Sequence, residues 1–245
     1  MLNEETLRAA LGTRPFQYYP TVGSTNDLAA AWLRSGAPTG AAVIADEQRA
    51  GRGRQGRVWH TPAGSALAVS IILRPKSEQA ALCSVVGALA VVDVCAAVGI
   101  QDVGIKWPND VQAAGRKVAG VLPEAVWVNQ ELVGVVLGIG VNVSVRFEGE
   151  LAERAASLEP LAGRPLDRSA LLSVLLSAVD TYSQLEPTEV LSLWRARLIT
   201  IGQRVRVGSV VGLAVDTDQT GALLVQTDGG AVERVVAGDI ALVGD

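Results

Sequence analysis

The sequence has few of the residues that mark secreted proteins or general nucleic-acid binders. Its 245 residues include two cysteines, one histidine and three lysines. Cys83 and Cys95 lie too far apart along one predicted helix to bridge each other, so nothing indicates an oxidising compartment and both are expected to be core thiols. A net charge of -4 argues against a broad basic surface for nucleic acid. These scarcities favour a cytoplasmic protein.

Membrane and export signals are also missing from the sequence pattern. The N-terminal residues 1–16 contain no apolar run of the signal-peptide type. The longest apolar region, residues 80–100, is interrupted by Asp93 and by glycines, and therefore predicts a buried helix rather than a membrane span. A hydrophobic fraction of 49% with 19% charged residues is typical of a globular protein.

The pattern of the chain changes near residue 200 and predicts two domains. Residues 1–200 alternate β-branched runs with helical periodicity, which indicates an α+β domain. Residues 201–245 consist of short apolar runs separated by Gly and Asp turns, which is typical of a small β-barrel.

A loop rich in glycine and arginine, AGRGRQGRVW at residues 50–59, is the most unusual segment. Glycines let a backbone approach a ligand closely, and Arg52, Arg54 and Arg57 can form charge-assisted hydrogen bonds to phosphate or carboxylate. The spacing is neither that of a P-loop nor that of a Rossmann turn. A solvated surface loop explains this segment equally well when it is taken alone, and an RNA-binding Arg-Gly segment fits less well.

Two further segments each contain one of the three lysines of the chain. In IKWPND, residues 105–110, Pro108 is expected to end a strand and Asn109–Asp110 to form a turn, so that Lys106 faces an anion and Asp110 offers oxygen to Mg²⁺. In GRKVAG, Lys117 follows a predicted hairpin turn and could neutralise a carboxylate or phosphate. A turn beside a core tryptophan and a hairpin with an exposed lysine are the structural alternatives.

The remaining motifs are less specific. GSTND at residues 23–27 is typical of a helix cap, although the same groups could bind a polar ligand head. GIGVNV at residues 138–143 has glycines inside a strand, which indicates either sheet packing or close approach by a ligand. His60 has no cysteine or acidic partner at metal-binding spacing, and we assign it no role.

The order of these motifs resembles the biotin–protein ligases, from about residue 16 to the C-terminus. GSTN, DEQRAGRGRQGRVW, KWPNDV, GRKVAGVL and GIGVNV follow one another and are closed by the predicted barrel. The resemblance implies a mixed sheet with helices like that of class II aminoacyl-tRNA synthetases over residues 1–200, and an SH3-like barrel over residues 201–245. Lipoate ligases share this fold but match the motifs less well.

The resemblance also implies an activity. Such enzymes use ATP and Mg²⁺ to convert biotin to biotinyl-5′-AMP, and then transfer biotin to one lysine of a biotin carboxyl carrier protein. Gln55 departs from the pattern, since many members have arginine there. Only about 15 residues precede the first predicted strand, too few for a DNA-binding domain, so we expect no repressor activity and no DNA binding. The resemblance also implies a homodimer, because members often pair through sheet edges.

The roles of individual residues are likewise implied by the resemblance. Catalysis falls to the cations Arg54, Lys117 and Lys106, and Asp110 is the candidate Mg²⁺ ligand. The nucleotide-binding set is Arg52, Arg54, Arg57, Lys106, Asn109, Lys117 and Asn142. The biotin-binding set is Ser24, Thr25, Asn26, Gln48, Gly51, Arg52, Gly53, Arg54, Trp59, Lys117, Gly120, Leu122, Gly138 and Val141.

Two other functions stay open from the sequence alone. One is a lipoyl or octanoyl ligase or transferase, from which a substrate panel would distinguish the biotin enzyme. The other is a biotin-sensing or nucleic-acid-binding module without turnover, which ATP-dependent pyrophosphate release in the presence of biotin would exclude.

Overall fold

Residues 2–243, the part of the chain that the computed structural model describes, form two β-sheets and seven α-helices. Met1, Gly244 and Asp245, at the outer ends of the two predicted domains, lie outside the described residues.

The larger sheet has seven strands in the order β1-β2-β3-β7-β6-β5-β4. β1 and β2 are parallel, and the other neighbouring strands are antiparallel. The strands are β1 (Phe16–Val22), β2 (Ala42–Gln48), β3 (Ala66–Leu73), β4 (Val103–Lys106), β5 (Asp110–Ala113), β6 (Arg116–Val128) and β7 (Glu131–Asn142).

Helices cover both faces of this sheet. α2 packs on one face with the side chains of Val43, Ile72 and Val136, while α3 and α6 cover the other face. β3 is therefore buried along its whole length. The helices are α1 (Glu4–Leu11), α2 (Thr25–Arg34), α3 (Leu82–Ala97), α4 (Glu150–Arg154), α5 (Leu158–Ala162), α6 (Arg168–Ser183) and α7 (Pro187–Arg195).

α3 is the buried helix predicted from the apolar region. Its residues are mostly buried because it packs against α6, α7 and the sheet. A Cβ atom at Gly87 would lie 2.7 Å from Val121 Cγ1, so this glycine lets the helix approach β6 closely. Within residues 2–243, no helix is long and apolar enough to cross a membrane.

Hairpin turns are predicted by AAGRK at residues 113–117 and by VNQEL at residues 128–132, and both are confirmed, whereas one other predicted turn is corrected. Ala114–Gly115 and Asn129–Gln130 have positive φ values and join β5 to β6 and β6 to β7. The predicted turn at Asn109–Asp110 is shifted: residues 107–109 form the turn, and Asp110 begins β5 directly opposite Lys106.

The C-terminal residues form a five-stranded antiparallel sheet in the order β11-β10-β9-β8-β12. Its strands are β8 (Arg204–Val207), β9 (Val210–Thr217), β10 (Leu223–Thr227), β11 (Val232–Val235) and β12 (Ala241–Leu242). Trp107 joins the two sheets, because its indole Nε1 donates a hydrogen bond to the carbonyl of Gly221 at 2.9 Å.

The two cysteines are free and buried in α3, as predicted. Burial raises the pKa of each of the Cys83 and Cys95 thiols to about 12. We therefore expect neither to react with a thiol reagent at about pH 8 in the folded protein, since the thiolate is the reactive form, and both to react in denaturant. Rapid labelling of the native protein, followed by absorbance, would contradict this packing of α3.

Candidate active site

One cavity of about 600 Å³ collects almost all of the residues singled out from the sequence. Two of them do not line it: Gly51 and Val141, both of which are buried. The predicted residues that line it are Ser24, Thr25, Asn26, Gln48, Arg52, Gly53, Arg54, Arg57, Trp59, Lys106, Asn109, Asp110, Lys117, Gly120, Leu122, Gly138 and Asn142.

The start of α2 forms a neutral, polar end of the cavity. Ser24 is the N-cap residue, but its side chain makes no capping hydrogen bond. The side-chain Oε1 of Gln48 takes that place, because it accepts a hydrogen bond from the backbone N–H of Thr25 at 2.8 Å. Gln48 Nε2 in turn donates to Thr61 Oγ1 at 3.2 Å. The Ser24 hydroxyl is thus available to a ligand.

The Asn26 amide is held by protein groups on both sides. Its Nδ2 donates to Glu124 Oε2 at 2.7 Å and to the carbonyl of Leu122 at 3.3 Å, and its Oδ1 accepts from the Ser70 hydroxyl at 2.6 Å. Gly138 lies directly beneath this side chain, where any Cβ atom would overlap Asn26 Oδ1. The glycine in β7 therefore makes room for Asn26.

Trp59 lies against glycines of two neighbouring strands. Gly120 and Gly140 are paired across β6 and β7, and a Cβ atom on Gly140 would overlap the indole of Trp59. The indole Nε1 is buried and has no hydrogen-bond partner among residues 2–243. These glycines in β6 and β7 therefore let Trp59 and Asn26, which line the cavity, lie directly against the sheet.

Three charged residues from adjacent strands form a second, ionic end. Lys117 Nζ lies 2.7 Å from Asp110 Oδ1 and 5.5 Å from the centre of the Trp59 ring. Lys106 is the cross-strand neighbour of Asp110, and it forms no ion pair within the described part of the chain. This end therefore holds two cations around one carboxylate, which favours anionic ligands.

Arginines of the loop at residues 50–59 form ion pairs with carboxylates from other parts of the chain. Arg52 forms two hydrogen bonds with the Asp27 carboxylate, at 2.8 and 2.7 Å, and approaches Glu124 at 3.4 Å. The hydrogen bond from Arg52 lowers the pKa of Asp27 below its usual value. Arg57 forms an ion pair with Asp239 of the C-terminal region.

Arg54 also reaches the C-terminal region. Its Nη1 donates to Asn109 Oδ1 at 3.0 Å, and its Nη2 donates to the carbonyl of Gly238 at 3.3 Å. Asn109 in turn donates from Nδ2 to the carbonyl of Val121. The Arg54 guanidinium is thus supported by both the KWPND turn and the C-terminal segment.

Asn142 has a similar supporting position. Its Nδ2 donates to the carbonyls of Ala156 at 3.2 Å and Lys117 at 3.4 Å. Ala155 forms a bridge with Lys117, which brings the region of α4 to the edge of the cavity.

Sequence reasoning missed two groups of site residues. Asp27, Ser70 and Glu124 stand behind the cavity and bond to the side chains that line it; Asp27 lies inside a quoted motif, whereas the other two carry no local signal. The residues of the second group line the cavity directly, but only the tertiary fold brings them there. They are His60, Phe147, Leu151, Arg154, Ala155, Asp239 and Ile240.

Comparison with known proteins identifies the family. Residues 18–142 match the model described as the biotin/lipoate A/B protein ligase family, and residues 200–243 match the biotin protein ligase C terminal domain.

The chain belongs to the biotin/lipoate A/B protein ligase family.

Individual members of this family are similar over nearly the whole chain. A biotin–[acetyl-CoA-carboxylase] ligase of Mycobacterium tuberculosis is 38% identical over 256 residues, covering 98% of this chain and 93% of the relative. A bifunctional ligase/repressor of Bacillus subtilis is 33% identical over 261 residues, covering 98% and 79%. The resemblance predicted from the order of motifs is confirmed.

The fold is similar to solved structures of the family. A biotin protein ligase from Aquifex aeolicus in complex with biotin and ATP superposes with a TM-score of 0.80 at 27% identity, covering 94% of this chain and 99% of that one. The predicted α+β class with a large mixed sheet is confirmed by this similarity.

Proposed function

We propose that the protein is an ATP-dependent biotin–protein ligase, which forms biotinyl-5′-AMP and transfers biotin to a lysine of a biotin carboxyl carrier protein. The observation that carries this proposal is that residues from all five sequence motifs line one cavity, which has a neutral hydrogen-bonding end and a cationic end. Support comes from the Mycobacterium relative, named as such a ligase, and from the Aquifex structure with biotin and ATP.

The chemistry explains why the cavity has cations at one end. A biotin carboxylate oxygen attacks the α-phosphorus of ATP, an oxygen–phosphorus bond forms, and pyrophosphate leaves. Both reactants are anions, so Lys117, Lys106 and Arg54 lower the cost of bringing them together. In the second step, a neutral lysine amine of the acceptor attacks the biotinyl carbonyl and releases one proton to solvent as the amide forms, and AMP leaves with the electron pair of the broken bond.

Each end of the cavity takes one substrate. Residues at the start of α2, with Gln48, Trp59 and the glycines of β6 and β7, are assigned to biotin. The arginines of the loop and the KWPND turn are assigned to the nucleotide. The amides of Asn26, Asn109 and Asn142 are already bonded to protein groups, so they hold the walls of the cavity.

A magnesium ion fits this site as a companion of ATP. Among residues 2–243 there is no cluster of three His, Cys, Asp or Glu side chains that could hold a metal by itself. Mg²⁺ is normally bound by one or two carboxylates together with substrate phosphates, and Asp110 would supply one carboxylate. The ion would neutralise phosphate charge, while Asp110 also orients Lys117.

The finer features of the fold and assembly belong to the same proposal. We assign residues 1–200 to a catalytic domain like class II aminoacyl-tRNA synthetases and residues 201–245 to an SH3-like barrel. β1 is an edge strand of the larger sheet, which is a surface for pairing of two copies. The expected lack of repressor activity stays a prediction, and a gel-shift assay that detects specific DNA binding would contradict it.

A substrate panel tests the proposed function. The protein is incubated with ATP, Mg²⁺, a biotin carboxyl carrier domain and biotin, lipoate or octanoate, and the acceptor mass is measured. We expect a biotin adduct alone, and no adduct when the acceptor lysine is replaced by arginine. An equal yield with lipoate or octanoate would assign the chain to lipoyl or octanoyl transfer.

A further inference from the structure

A chain of hydrogen bonds runs behind the neutral end of the cavity, from the sheet to the start of α2. It links Glu124 on β6, Asn26 and Thr25 on α2, and Ser70 on β3. Ser70 is fully buried, and neither Ser70 nor Glu124 lines the cavity. These two residues can therefore affect a ligand only through the side chains that they hold.

The chemistry of the partners fixes the direction of each bond. A carboxylate and a carbonyl only accept, so the Asn26 nitrogen must face Glu124 and Leu122, and the Asn26 oxygen must face Ser70. An amide oxygen cannot donate. The Ser70 hydroxyl hydrogen is therefore directed to Asn26 Oδ1, at 2.6 Å.

This direction continues to Thr25. Ser70 Oγ also lies 2.7 Å from Thr25 Oγ1, and the only Ser70 hydrogen is already committed. The Thr25 hydroxyl hydrogen is then directed to Ser70 Oγ or to Gln48 Oε1, which lies 3.0 Å from Thr25 Oγ1 and also accepts from the backbone N–H of Thr25 at 2.8 Å. Both atoms are acceptors within the protein. What Thr25 Oγ1 presents to the cavity is a lone pair, an acceptor for an N–H donor.

We propose that Glu124 and Ser70 are positioning residues that, together with Gln48, hold Thr25 as a hydrogen-bond acceptor, so that the neutral end of the cavity selects a ligand head carrying N–H groups. This inference rests on the proposed function, because the ureido ring of biotin carries two such groups. The dithiolane ring of lipoate and the alkyl end of octanoate carry none, which gives the site a physical basis for rejecting them.

Glu124 also joins this chain to the arginine loop. Its carboxylate accepts from Asn26 at 2.7 Å and lies 3.4 Å from the Arg52 guanidinium. A glutamine at this position keeps an oxygen for Asn26 but removes the charge that attracts Arg52. Alanine removes both. The two substitutions therefore separate the effect on the chain from the effect on the loop.

Steady-state kinetics of biotinyl-adenylate formation tests the inference. Ser70→Ala should raise the KM for biotin about tenfold and leave the KM for ATP within about twofold. Glu124→Ala should also raise the KM for biotin about tenfold. Glu124→Gln should stay within about threefold of the wild type in the KM for biotin. Ser157→Ala is the matched control, because Ser157 is a buried serine that donates one hydrogen bond, to the carbonyl of Val145 at 2.8 Å.

The outcomes separate the two claims. An unchanged KM for biotin in Ser70→Ala, or an equal rise in both KM values, would overturn the positioning role while wild-type adenylate formation leaves the proposed function intact. A wild-type protein that forms no biotinyl-adenylate would contradict the proposed function and this inference together. Thermal unfolding of each variant is measured in parallel. If Ser157→Ala raised the KM for biotin as much as Ser70→Ala, the rise would follow from destabilisation of the fold, and the positioning role would be overturned.

Discussion

Replacing Lys117 with alanine is expected to lower the rate of biotinyl-adenylate formation by about 10²- to 10³-fold. The ammonium group is the cation at 2.7 Å from Asp110 and beside Trp59, on β6, an interior strand of the larger sheet. Its removal takes away a positive charge and leaves the Asp110 carboxylate unpaired beside two anionic substrates. Single-turnover release of labelled pyrophosphate measures this loss, and biotin binding should weaken as well.

Lys76→Ala provides the matched control for the Lys117 variant. Lys76 is an exposed lysine that does not line the cavity, so its removal changes the net charge equally without touching the site. A Lys76 variant as slow as the Lys117 variant would show that net charge rather than position matters. Normal turnover in Lys117→Ala would remove Lys117 from the proposed mechanism.

Replacing Arg54 with alanine is expected to lower adenylate formation by about 10²-fold while biotin still binds. Arg54 bonds to Asn109 and to the carbonyl of Gly238, and none of the groups at the start of α2 contacts it. The substitution should therefore spare the neutral end of the cavity and affect the phosphate end, with more of the adenylate escaping into solution. Calorimetric titration with biotin and release of pyrophosphate separate the two effects.

Arg49→Ala is the control for Arg54→Ala. Arg49 precedes the loop, and 74% of its side chain is exposed. Among residues 2–243, its side chain forms one ion pair, a 3.9 Å contact with Glu47. Its variant should match the wild type in both measurements. Loss of biotin binding in Arg54→Ala would contradict the assignment of Arg54 to the phosphate end.

The sequence predicted most of the helices, strands and cavity-lining residues because these features leave local signals. A buried apolar helix with Asp93 inside it, paired turn residues at Asn129–Gln130 and glycines within β7 are all visible in a short window of sequence. The order of the motifs also indicated the family, since the arginine loop and KWPND seldom occur together in other families.

Other features depend on contacts between distant segments. Glu124 and Asp27 are 97 positions apart, yet both contact Arg52, and no local pattern shows that they meet. Asp110 was expected in a turn because Asn-Asp favours turns, but pairing with β4 and β6 draws it into a strand. Val141 was assigned to the ligand pocket, but its side chain belongs to the hydrophobic core.

The most direct test of the central claim is adenylate formation without any acceptor protein. The purified protein is mixed with biotin, α-labelled ATP and Mg²⁺, and the labelled products are separated by chromatography. A biotin-dependent adenylate that lipoate and octanoate do not replace is the predicted result. If no acid gave an adenylate, the cavity would bind anions without turnover, and a biotin-sensing or nucleic-acid-binding role would explain the protein better.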